Sequence, residues 1–424
     1  MFLCAFITAL AAPLLDDSTP TVWPQPKYAK SSTAAVFLTP SNNFFVADND
    51  GAKGELLKSA FARYSALTFP HTTTTVGLLA SLHVHVEDPD ESHPTLETNE
   101  SYALEISAHS AASLRAKTVY GALRGLETFS QLVSFDFDTE TYQIPSCPWS
   151  IHDAPRFPHR GLMMDTARHF QPLASIRGLI DSLPYAKLNV LHWHLVDTQS
   201  FPFHSTSSPK LWEGAYDATS RYTHGDVADI VEYARLRGVR VMPEFDMPGH
   251  AQSWCVGYPD MCPSSTCLTP LDVSRNSTFD RVTALLDECT GGHASKAGAP
   301  SGLFPDHFLH LGGDEVSTDC WESTPRIAQW LKKEGMSADD GYGTLTNRRI
   351  LSNPGRSYCF SERQRSSSRE NSPFCEKDRS DRHRPGPPPR PVYAPHGLNP
   401  SLPPATPLKD EHSRVSRGNR ERGL

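Results

Sequence analysis

Between Gly161 and Leu331 the sequence repeats one unit four times: a short apolar strand, a polar strand end, a loop and an amphipathic helix. The strands read as 161–165, 188–197, 239–246 and 307–315. Helical spacing comes after each of them, through Ile176, Leu179, Ile180 and Leu183; Val227, Ile230, Val231, Ala234 and Leu236; Val282, Leu285 and Leu286; and Ile327, Trp330 and Leu331. A strand that is apolar on both faces has to be covered on both, and helices crossing between parallel strands do this. The pattern predicts an α/β fold of the (β/α)8, TIM-type barrel kind over 151–345, with about four of the eight units recognisable. In such a fold the active groups gather at the C-terminal ends of the strands.

Residues 20–150 have a different texture. Stretches 82–86 and 102–106 alternate apolar with other residues and read as strands. Stretch 112–133 has helical spacing, with Leu114, Val119, Leu123, Leu126 and Phe129 on one stripe. A small α+β domain without a catalytic cluster is expected there. Past Leu345 the pattern stops. Residues 348–424 hold 14 Arg and 12 Pro, no Trp, and a net charge of +8, against −16 for residues 1–347. Such a segment buries too little apolar surface to offset its ordering entropy, so 346–424 is expected to be a disordered or out-of-frame tail of low complexity. A barrel of four units would leave its first and fourth strands as open edges. The acidic body argues against nucleic acid as a partner.

The apolar run over residues 1–15 is shorter than the ~20 residues that cross a bilayer. It reads as a signal peptide, with its leader over 1–19, although a basic start is missing. Together with Asn-x-Ser/Thr sequons at Asn99 and Asn276, it points to the secretory pathway, extracellular or in a lysosome or vacuole, without stable membrane insertion. The nine cysteines show no zinc spacing, which favours disulfides. Cys267 and Cys320 are the expected pair, and Cys255 with Cys262 could close a small loop.

The fourth strand ends in two adjacent carboxylates, Asp314 and Glu315, after the pair Gly312 and Gly313. Like charges that close together push one pKa up, and enzymes use that split to keep one acid protonated and another ionised near neutral pH. The other strands offer Arg160, Asp165 and Arg168; His192, His194 and Asp197; and Glu244, Asp246 and His250. Carboxylates accept hydrogen bonds from hydroxyls, and an arginine fork holds sugar oxygens. A neutral polyhydroxylated substrate therefore fits, with Trp193 and Trp254 expected to pack on its ring. A metal-dependent barrel hydrolase is the competing enzyme reading, since His192 and His194 share one side of their strand and Asp246 and His250 could complete a site. The helical HExxH signature is absent. Packing of these histidines in the barrel interior is a third reading.

The runs 160–168, 188–197, 244–250 and 310–316 occur in an order and spacing that resembles the β-N-acetylhexosaminidases of glycoside hydrolase family 20, over residues 20–342. The resemblance implies removal of terminal, non-reducing β-linked N-acetylglucosamine or N-acetylgalactosamine from a glycan or chitooligosaccharide, with no cofactor and no metal. It implies a retaining mechanism in which the substrate's own acetamido oxygen is the nucleophile. Glu315 is then the general acid and later the base, and Asp314 orients the acetamido group. Arg160 holds sugar hydroxyls, while Asp197 and His250 hold Glu315 in place. Thr198 stands where many relatives carry a second acid. The tryptophans, tyrosine and acid supplied by the family's later strands have no counterpart, since the last Trp is Trp330. A truncated, inactive relative or weak sugar-binding fragment is the alternative. A homodimer is an assembly that the resemblance allows.

Overall fold

The computed structural model describes residues 22–107, 112–291, 302–347, 357–359 and 375–376. The expected leader over 1–19 and most of the 346–424 tail lie outside the described residues.

The first part is α+β. Its strands are β1 (Tyr28–Lys30), β2 (Ala34–Phe37), β3 (Phe45–Ala47), β4 (Leu82–Asp88), β5 (Tyr102–Ile106), β6 (Ala112–Thr118), β7 (Ser134–Asp136), β8 (Thr141–Cys147) and β9 (Trp149–Asp153). They form a six-stranded sheet of order β1-β9-β5-β6-β4-β3 and a three-stranded sheet of order β2-β8-β7. Helices α1 (Glu55–Thr68) and α2 (Val119–Leu132) pack on each other, and α2 packs on β4, β5 and β6. The helical reading of 112–133 holds only from Val119. Ala112, Leu114 and Ala116 are buried and alternate with Ser113, Arg115 and Lys117, a period of two that seats β6 between β4 and β5. The Thr118 side chain then accepts from the Gly121 N–H and starts the helix.

From Gly161 the chain forms parallel β/α units: β10 (Gly161–Asp165), α3 (Leu173–Ser182), β11 (Val190–Val196), α4 (His224–Arg235), β12 (Arg240–Phe245), the short α5 (Trp254–Gly257), α6 (Asn276–Thr290) and β13 (Phe308–His310). Helices α7 (Asp319–Ser323), α8 (Pro325–Glu334) and α9 (Ala338–Asn347) come next. β10 to β13 pair in sequence order and in parallel, which is barrel-type topology. Leu191, Trp193 and Leu195 of β11 are buried in one cluster with Ile176 and Ile180 of α3 and Val227 and Ile230 of α4. His192 and His194 therefore face the other side of the sheet, the barrel interior. The register aligns Asp165, His194, Glu244 and His310 in one polar row. The sequence leaves β13 as an open edge. Instead it pairs in parallel with β14 (Ser357–Cys359), which pairs antiparallel with β15 (Cys375–Glu376).

Buried polar contacts join the two parts. Glu100, just before β5, accepts from Arg124 Nε at 2.7 Å, Arg160 Nη2 at 2.6 Å and Asn189 Nδ2 at 2.7 Å. Arg124 also donates to the Gly238 carbonyl. Burial raises the proton affinity of Glu100, but Arg124 and Arg160 outweigh it and hold the carboxyl below its usual range. Glu100→Ala strands both guanidinium groups and is expected to lower stability by ~3–5 kcal/mol, read as a drop in the urea midpoint at unchanged slope. Disulfides join Cys255 to Cys262 and Cys267 to Cys320, the second tying the segment after β12 to α7. Among the described residues no helix is long and apolar enough to cross a membrane.

Candidate active site

The site is assembled from the loops that leave the strand ends. At the end of β10 the Asp165 Oδ1 accepts from the N–H groups of Ala167 and Arg168, at 3.0 and 2.9 Å, and so turns the chain back on itself. Asp165 Oδ2 accepts from Arg168 Nη1 at 2.7 Å. The other arm of that guanidinium, Nη2, reaches Asp197 Oδ2 at 2.9 Å. Asp197 is fully buried just past β11 and accepts from the Thr198 N–H at 2.6 Å and from His194 Nε2 at 2.9 Å. His250 Nδ1 faces Asp197 Oδ1 at 3.2 Å, and its Nε2 lies 3.4 Å from Glu315 Oε2. The Glu315 side chain is 79% exposed, so the end of this chain of contacts is presented to solvent. Asp314 is half-buried, with a carboxylate oxygen within 4.8 Å of ligand-type atoms of Asp246 and His250.

The turn between β13 and the two acids is pinned from below. Gly313 N–H donates to Asp246 Oδ1 at 2.9 Å, and the Tyr342 hydroxyl donates to the Gly313 carbonyl at 3.0 Å. Gly312 has φ +64, and a Cβ there would lie 1.9 Å from Asp246 Oδ1, so a side chain is excluded by both space and backbone. His250 and Glu315 also have positive φ, 50° and 49°, a conformation that costs of order 1–3 kcal/mol for a non-glycine residue.

Asp197, His250 and Asp246 all have shifted proton affinities. Burial raises that of Asp197, but the hydrogen bonds from His194, His250 and the Thr198 N–H outweigh it and hold the carboxyl below the usual carboxylate range. The hydrogen bond to Asp197 raises His250 to about 9 against the effect of burial, helped by the charges of Asp246 and Asp314. Burial pushes Asp246 up to about 7, with Glu244 and Asp314 adding to the effect. A carboxyl raised in the folded state binds a proton that the unfolded chain has lost, so its contribution to stability declines as pH rises from ~4 to about 7. Asp246→Asn is expected to flatten that decline, by at most ~4 kcal/mol at ~1.4 kcal/mol per pH unit. Urea unfolding of both proteins across this range measures it.

Several sequence expectations are corrected here. Arg160 precedes β10, at the opposite end of the strand from Asp165, and donates to Glu100 and to the Lys187 and Phe157 carbonyls. It belongs to the joint between the two parts, and the arginine at the strand ends is Arg168. Trp193 and Trp254 are fully buried, with Trp193 Nε1 bonded to Thr166, so neither offers a ring face to a ligand. Among the described residues, three clusters bring metal-type ligand atoms within 4.8 Å: His192, Glu244 and His310; His194, Asp197 and Asp246; and Asp246, His250 and Asp314. In the first two a ring nitrogen sits directly on a carboxylate oxygen, at 2.5 Å for His192 and Glu244 and 2.9 Å for His194 and Asp197, a separation that a shared proton fills. Tyr342 carried no sequence signal, because it reaches the site from a helix beyond the strand-end motifs.

All of these strand-end groups fall within residues 157–353, which match the family model described as glycosyl hydrolase family 20, catalytic domain. The chain belongs to glycosyl hydrolase family 20. A second model, beta-acetyl hexosaminidase like, matches residues 22–132, the α+β part. Beta-hexosaminidase 1 of Arabidopsis thaliana is 41% identical over 362 residues, covering 81% of this chain and 64% of that protein. Beta-hexosaminidase subunit beta of Sus scrofa is 39% identical, covering 74% of this chain and 60% of that protein. The chain thus spans less than two thirds of the length of these curated relatives. Among solved structures, the chitobiase of Flavobacterium johnsoniae has a TM-score of 0.65 at 27% identity, over 80% of this chain and 52% of that one. The two family models thus fall in turn on the α+β part and on the parallel β/α part.

Proposed function

We propose that this chain is a glycosidase that removes terminal, non-reducing β-linked N-acetylhexosamine, N-acetylglucosamine or N-acetylgalactosamine, from a glycan or chitooligosaccharide. The observation that carries the reading is the Asp197–His250–Glu315 line, which ends in an exposed carboxyl beside Asp314. Relatives named beta-hexosaminidase support it. In the retaining, substrate-assisted course, Glu315 gives its proton to the leaving oxygen as the acetamido oxygen closes on the anomeric carbon. Asp314 holds the acetamido N–H and offsets the positive charge of the oxazolinium. Glu315 then takes a proton from the attacking water. Arg168, fixed by Asp165 and Asp197, holds sugar hydroxyls in place of Arg160.

A second reading is a weak sugar binder without turnover. It is favoured by the burial of Trp193 and Trp254 away from the site and by the 79% exposure of Glu315, which leave the acid poorly shielded from water. The purified 424-residue chain decides between them when given p-nitrophenyl β-N-acetylglucosaminide and chitobiose. Release of N-acetylglucosamine, first as the β-anomer, supports hydrolysis; binding without release supports the second reading.

The two disulfides and the exposure of Asn99 and Asn276 support a secretory location, which a mass shift on enzymatic deglycosylation would test. A homodimer is part of the same proposal, tested by the mass in solution.

A further inference from the structure

His194 lies between two carboxylates. Its Nδ1 is 3.1 Å from Glu244 Oε2 and its Nε2 is 2.9 Å from Asp197 Oδ2. A ring that faces an acceptor at each nitrogen needs a proton on both, so the imidazole is a cation. Its side chain is 6% exposed, so water does little to screen that charge. Asp197 is shared further: Arg168 Nη2 takes the same oxygen as His194, while Thr198 N–H and His250 Nδ1 take the other.

We infer that His194 is a positioning residue for the proposed hydrolysis: a buried imidazolium that shares the charge of Asp197 and thereby limits how strongly Asp197 holds the proton of His250, the ring facing Glu315. The catalytic consequence rests on the hydrolase reading, whereas the electrostatic one does not. His194 is faced by Asp197 and Glu244, with Asp165 adding its charge from β10. Glu244 is in turn faced by His192 Nε2 at 2.5 Å and His310 Nδ1 at 3.1 Å. His250 is faced by Asp197, Arg168, Asp246, Asp314 and Glu315. Burial alone would lower the proton affinity of His194, but its carboxylate neighbours outweigh burial and raise it to about 10.

The test uses the full chain labelled with 15N-histidine. In the wild type, the ring nitrogens of His194 are expected to stay imidazolium-like through neutral pH. In His194→Gln, which keeps a donor toward Asp197 and removes the charge, the titration midpoint of His250 is expected to rise by roughly 0.5–1 pH unit. A neutral His194 near pH 7, or an unmoved His250 midpoint, overturns the inference. Should the variant not fold, the wild-type spectrum alone decides it. Turnover gives the second arm. The variant should lose about tenfold more kcat/KM on chitobiose, a poor leaving group, than on the nitrophenyl glycoside, which hardly needs an acid. Equal losses on both would mark His194 as merely structural and overturn the positioning role. If the wild type hydrolyses neither, the hydrolase reading fails while the histidine spectra still decide the electrostatic claim.

Discussion

Glu315→Gln is expected to lower turnover of an unactivated β-linked N-acetylhexosaminide by about 10²–10⁴-fold, with the chain still folded. Gln keeps the length and shape of the side chain, and a side chain that is 79% exposed packs against little that the change could disturb. On the proposed mechanism, the substitution removes the proton that the leaving oxygen needs and the base that later activates water. The loss should shrink with a nitrophenolate leaving group, because a stable anion departs without protonation. Steady-state kinetics on both substrates, beside a circular dichroism melt, measure this. Wild-type turnover of chitobiose by the variant would remove Glu315 from the mechanism.

The two arginines at opposite ends of β10 are expected to separate stability from activity. Arg160→Met leaves Glu100 with one guanidinium fewer inside the joint and should cost ~3–5 kcal/mol of stability, with kcat/KM per folded molecule unchanged. Arg168→Met leaves the joint alone and frees Asp165 and Asp197. It also removes the charged donors available to sugar hydroxyls, so kcat/KM should fall on the order of 10²-fold in a folded protein. The opposite pairing of effects would return the substrate role to Arg160.

The parallel units were legible because they rest on hydrophobic period and on polar strand ends, which are local signals. The line of contacts from Asp197 to Glu315 is a product of that topology once four strand ends are brought together. Arg160 and Arg168 show where motif resemblance misleads. Both flank one strand, but Arg160 stands at its N-terminal end, which the rule for barrel strands already places away from the site. The aromatic reading of Trp193 fails for a related reason: it sits between His192 and His194, and the alternation of a strand sends it to the helices. Residues 112–118 misled because Leu114 fits a helical stripe as well as a strand face, and the partner strands that decide it are distant in sequence. The proton affinity of Asp246 depends on burial from several elements at once, which no spacing records.

The left-handed backbone at His250 and Glu315 carries a consequence for how this sequence can drift. At the exposed Glu315, glycine would relieve strain that the native residue imposes, and little packing opposes that exchange. At His250 the contact with buried Asp197 opposes it. If the proposed hydrolysis is what retains the Glu315 side chain, a lineage released from it should lose that side chain before His250, at little cost in stability.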